Sequence, residues 1–134
     1  MRPVGEQDKL QEPVKDEEAA HPIASVWRPA LREVIRALVQ GDDDGLVRGL
    51  RSVAPISAAT IEEIRANVAG YGETLAELPD DTWRTSVSQW MGKHWDVLVD
   101  LWTVESGASD LVLSARVFEL ADGFRVEVDS VYVP

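Results

Sequence analysis

Residues 94–102 read HWDVLVDLW, and the periodicity of this stretch decides the fold. Trp95, Val97, Val99 and Leu101 are all apolar, whereas His94, Asp96, Leu98, Asp100 and Trp102 mix acids, a histidine and large hydrophobes. Side chains of an extended chain alternate between two faces, so a period of two marks a strand with a buried side and an outer side. The odd set is assigned to the core.

The same alternation recurs over 110–120 and 124–133, and Trp83–Trp90 is a further strand candidate. Met91-Gly92-Lys93 and Glu105-Ser106-Gly107 read as turns, and Asp122-Gly123 predicts a two-residue hairpin loop. That loop sets Ala121 opposite Phe124. It therefore sets Val117 opposite Val128, Leu113 opposite Tyr132, Arg116 opposite Asp129 and Phe118 opposite Glu127. One register across the 104–109 turn pairs Asp96 with Arg116, which gives an Asp96–Arg116–Asp129 row. Trp95, Val97, Val99 and Leu101 then share the core face with Leu111, Leu113, Val117, Val126, Val128 and Tyr132. A slip of one residue would turn the whole set to water.

Upstream the period changes. Leu31, Val34, Ile35 and Leu38 recur at helical spacing, which predicts a helix over 29–40 with Pro29 in its first turn and Gly41 at its end. Asp42-Asp43-Asp44 offers an N-cap for a short helix over 44–52. A third helix starts at Ser57 or at Thr60, where Thr60-Ile61-Glu62-Glu63 matches a capping box, and stops at Gly70 and Gly72. Residues 73–82 read as a connection with room for a short strand or turn. Helices first and a meander afterwards predict an α+β domain. Its N-terminal helices pack on one face of a C-terminal antiparallel meander of three to four strands.

Residues 1–21 are poor in large apolar side chains and rich in acids, which predicts a disordered acidic tail before a single domain over 22–134. The formal net charge is −11, and the body carries about −8 of it. That sign disfavours nucleic acid and anionic membranes, which recruit cations. It suits a basic protein partner. The absence of cysteine excludes disulfides and thiolate chemistry. Without an apolar run of ~20 residues or a secretory leader, a cytoplasmic protein is expected.

Little in the chain points to catalysis. His94 and Asp96 share a face at i, i+2 and would allow a His–Asp dyad, whereas His21 sits at the tail boundary. Asp96 and Asp100 lie roughly 13 Å apart along a strand, beyond the ~5–9.5 Å used by paired glycosidase carboxylates. GDDDG at 41–45 fails as a calcium loop, because an EF-hand begun at Asp42 would hold Val47 and Val53 where glycine and glutamate are needed. No catalytic residue, cofactor site or metal site is therefore assigned. The outer face carries the candidate binding residues Leu98, Trp102, Val112 and Phe118, surrounded by Asp96, Arg116 and Asp129. Exposed cross-strand ion pairs contribute only ~0.2–1 kcal/mol each, so the charges need no function. The apolar members form a patch of the kind that marks contact surfaces.

The order of elements over 22–134 resembles the nuclear-transport-factor-like, or cystatin-like, α+β cone. LVDLWTVESGASDLVLSARVFE (98–119) and GFRVEVDSVYVP (123–134) resemble a small bacterial family of unknown function. The cone resemblance implies a pocket between helices and sheet, which here would be lined by Trp95, Val97, Val99, Leu113 and Tyr132. Its relatives include isomerases, dehydratases and non-catalytic dimer modules. The sequence thus supports a non-catalytic protein-binding or self-association module acting through the outer face, with a protein partner or a homodimer. The competing expectation is a cone-fold enzyme or small-ligand carrier.

Overall fold

The computed structural model describes residues 10–134. A two-residue strand, β1 (His21–Pro22), and a 3-10 turn (Ser25–Trp27) lead into helix α1 (Arg28–Gln40). Its Leu31, Val34, Ile35 and Leu38 stripe is buried, as the spacing predicts. Gly41 ends it in the left-handed conformation, φ +71°. Asp42 caps α2 (Asp43–Arg48) by accepting from the Gly45 N–H at 3.1 Å. Helix α3 (Ala58–Tyr71) takes the earlier of its two candidate starts. Ser57 Oγ accepts from the Thr60 N–H, so Thr60 lies inside the first turn and its capping box does not form.

The sheet is antiparallel and has six strands, two or three more than the alternation predicts. β2 (Leu75–Ala76), β3 (Val87–Trp90), β4 (Trp95–Thr103), β5 (Gly107–Leu120) and β6 (Gly123–Tyr132) complete it. The order is β1-β3-β4-β5-β6, with β2 on the same edge of β4 as β3. The additional strands β1 and β2 are two residues long, too short to show a period. Between β2 and β3 the Asp100 backbone faces a gap, which side chains fill. Its N–H donates to Ser86 Oγ at 2.9 Å, and Thr82 Oγ1 donates to its carbonyl. Both hydroxyls are buried and bond each other. The 3-10 turn Asp80–Arg84 places Thr82 there, which is why the candidate strand 83–90 becomes extended only from Val87.

Trp95, Val97, Val99 and Leu101 do face the core, with Leu111, Leu113, Ala115 and Val117 beside them and the helical stripes above. Asp96 does pair with Arg116. The β5–β6 hairpin differs. Leu120 pairs with Gly123, so the loop is Ala121-Asp122 and the register moves by two residues. Gly123 adopts φ +149°, which L residues avoid, and closes the turn. Val117 therefore pairs with Val126, Ala115 with Val128, Arg116 with Glu127 and Phe118 with Arg125. A bulge between Ser114 and Ala115 then leaves Asp129 without a partner in the ladder and restores pairing at Ser114–Ser130 and Leu113–Val131. Uninterrupted alternation would drive Ser130 into the core. The extra residue buries Val131 instead and moves Tyr132 to the outer face, correcting its assignment to the core.

The expected tail through residue 21 falls partly outside the described residues, which begin at Leu10. Residues 10–20 form a strap against the body. Gln11 exchanges hydrogen bonds with Ser25, Trp95 Nε1 donates to the Val14 carbonyl at 2.9 Å, and Gln89 Nε2 donates to the Glu17 carbonyl at 2.9 Å. Asp16 bonds His21 at 2.9 Å, and this bond, with the Glu18 N–H, holds its carboxyl below the usual aspartate value.

Candidate functional site

The outer face of the sheet has two zones, set by which strand positions fall opposite one another. The first is charged and crosses the sheet as Gln89, Asp96, Arg116 and Glu127. Arg116 Nη2 lies 3.1 Å from Asp129 and 3.6 Å from Glu127, and Arg125 Nε lies 3.1 Å from Glu127. The expected Arg116–Asp129 contact thus forms, but through the bulge rather than by direct opposition. Phe118 sits among these charges. His94 packs against its ring with centroids 5.2 Å apart, and the guanidinium groups of Arg116 and Arg125 lie 5.8 and 5.1 Å from it. His94 Nε2 also bonds Asp96 Oδ1 at 3.0 Å, so the i, i+2 dyad exists. Stacking on one side and ion pairs on the other fix its members as parts of a surface network.

The second zone is apolar. Val87 lies opposite Leu98, and Val112 lies opposite Tyr132. With Met91, Ser114 and Ala20, Val87, Leu98 and Tyr132 line a groove of about 390 Å³ that Asp96 and Asp129 border. Val112, next to Leu98 on this face, is only 5% exposed.

The predicted apolar patch is therefore divided. Trp102 pairs with Ala108 and packs over Gly107, whereas Phe118 stands ten residues further along β5. At ~3.3 Å per residue the two rings lie on the order of 30 Å apart and do not form one cluster with Val112. Leu98 and Val112 do lie together, and their aromatic neighbour is Tyr132. Sequence reasoning missed Tyr132, Val87 and Met91. The available signal was Ser130, a serine that strict alternation would have buried.

The interior offers a different picture from the pocket that the cone resemblance implies. Trp95, Val97, Val99 and Leu113 are at most 2% exposed. Trp95 is clasped between Trp27 and Trp90, with ring centroids at 4.8 and 4.6 Å. Asp42 and Asp43 are committed to capping α2 and to an ion pair with Arg65. Among the described residues no helix is long and apolar enough to cross a membrane.

Residues 35–134 match a family described as a domain of unknown function, DUF7668. No curated protein and no solved structure matches the chain.

Proposed function

Since the chain belongs to the DUF7668 family, whose description brings no activity with it, we propose from the geometry that it is a non-catalytic binding or self-association module. Its contact surface is the outer face of the sheet, and its partner is a protein or a second copy of the chain. The observation that carries this reading is the groove of about 390 Å³ around Leu98 and Tyr132, an apolar floor edged by Asp96 and Asp129. Apolar centres with polar rims are the usual anatomy of protein contacts. Arg116 and Phe118 belong to the rim in this reading, and Trp102 marks the far end of the same face.

The reading of an enzyme or carrier with a pocket between helices and sheet has less support. The side chains that would line the pocket are packed against one another and against α1, and Tyr132 lies on the opposite side.

The test replaces Leu98→Glu and, separately, Tyr132→Glu. Sedimentation equilibrium gives the mass of each chain, and affinity capture from cell extract gives its partners. Loss of a dimer, or of a specific captured protein, is expected in both variants. A monomeric parent whose captured proteins are unchanged in both variants removes the proposal.

A further inference from the structure

The strap 11–17 lies against the body in the way a bound peptide would. Four contacts reach its main chain. The Gln11 N–H donates to Ser25 Oγ at 2.8 Å, and the Gln11 carbonyl accepts from the Ser25 N–H at 2.9 Å. The Val14 carbonyl accepts from Trp95 Nε1, and the Glu17 carbonyl accepts from Gln89 Nε2, both at 2.9 Å. Body side chains engage two of its side chains. His21 Nε2 bonds Asp16 Oδ2 at 2.9 Å. Lys15 Nζ lies 2.9 Å from Glu119 Oε1 and 5.0 Å from the centre of the Trp90 ring. Glu12 and Pro13 are exposed, and Val14 is 39% exposed.

A seat whose contacts reach mainly the backbone, together with one cation, recognises an extended segment with a lysine or arginine at one position. Segments held at a few points, with most of their side chains exposed, open locally at lower free energy than the core. The strap also precedes the region that the family match covers, residues 35–134. We propose that Ser25, Gln89, Trp90, Trp95 and Glu119 form a peptide-binding seat. The strap fills it in cis and leaves it reversibly, and an extended, lysine-bearing segment of a partner protein takes it in trans. This site shares only Gln89 with the lining of the outer-face groove, and its argument stands without that groove.

The experiment keeps the full chain. Hydrogen exchange followed by NMR is expected to show the Gln11 amide and the Trp95 indole N–H exchanging at least a hundredfold faster than the β4 amides. Exchange at one common rate, which only global unfolding gives, overturns the proposal. The second arm uses the full-length Lys15→Glu variant and a fluorescein-labelled peptide of residues 10–20. That peptide should bind the variant at least tenfold more tightly than the parent, and its own Lys15→Glu counterpart should bind at least tenfold more weakly. Equal binding of the two peptides, or no binding to a folded variant, overturns the lysine-reading seat. A Lys15→Glu chain that fails to fold also overturns it, since the strap would then be integral to the fold.

Discussion

Gly107 adopts φ +73° at the start of β5, beneath the six-membered ring of Trp102. A Cβ built there meets Trp102 at 3.4 Å, an ordinary contact, so backbone conformation is what selects glycine. Gly107→Ala is expected to lower stability by about 1–2 kcal/mol, read from urea unfolding. A larger loss should follow from Ser86→Ala. It strands the Asp100 N–H in the gap between β2 and β3, and a buried polar group left unpaired costs about 1–3 kcal/mol. Ser88→Ala is the control, because its hydroxyl reaches its two carbonyls only at 3.4 Å. Equal losses in the two serine variants would contradict the role given to Ser86. Gly107 was legible as part of the Glu105-Ser106-Gly107 turn, whereas the role of Ser86 was not legible in the sequence. Thr82 looks like a connection residue and Ser86 like an ordinary strand residue until the shortness of β2 and β3 leaves Asp100 facing them.

At the scale of elements, the turn between β4 and β5 is fastened to the α3–β2 connection by two glutamates. Glu105 accepts from the Thr74 N–H and hydroxyl at 2.7 and 2.8 Å, and Glu73 accepts from Thr103 and Ser106 at 2.6 and 2.8 Å. The Thr74 N–H holds the Glu105 carboxyl below its usual value. A depressed folded-state value gives a contribution that is complete above the ordinary glutamate range, near 4.3, and disappears as pH falls through the folded-state value. Glu105→Gln should therefore lower the urea midpoint at pH 7, and the difference from the parent should shrink as pH is taken below the ordinary glutamate range. A difference that persists there would contradict the clasp. Strands β4 and β5 were readable with their faces, because alternation over nine or more residues fixes which set is buried, and the observed Asp96–Arg116 pairing is one of the registers that this parity allows. The β5–β6 register was not, because Asp122-Gly123 favours a loop one position later than the one adopted. Sheet edges are managed as well. β1 carries Pro22, which has no N–H to offer, and Val53 bridges Val126 on the β6 side. Self-association is accordingly expected through a sheet face rather than by strand addition.

For the molecule as a whole, the junction of helices and sheet centres on Trp95, which joins Trp27 from the 3-10 turn, Trp90 from β3 and the Val14 carbonyl of the strap. Trp27→Ala removes a buried indole from this junction and should lower stability by about 3–5 kcal/mol, measured by denaturant unfolding. A loss below about 1 kcal/mol would mean that the helices and sheet are not joined there. The layered α+β arrangement was legible from the change of period near residue 83. The outer-face site was only partly so. Leu98 and Val112 were identified, but the aromatic residue beside them depends on a single unpaired residue, Asp129.

That unpaired residue makes the C-terminal strand tolerant of a change in length at one point. A chain lacking Asp129 would run Val128, Ser130, Val131, Tyr132 in strict alternation, with Val131 still inward and Tyr132 still outward, and would give up only a carboxylate near Arg116. The same deletion at Glu127 would instead turn Asp129 inward opposite Ala115 and Val128 outward opposite Arg116.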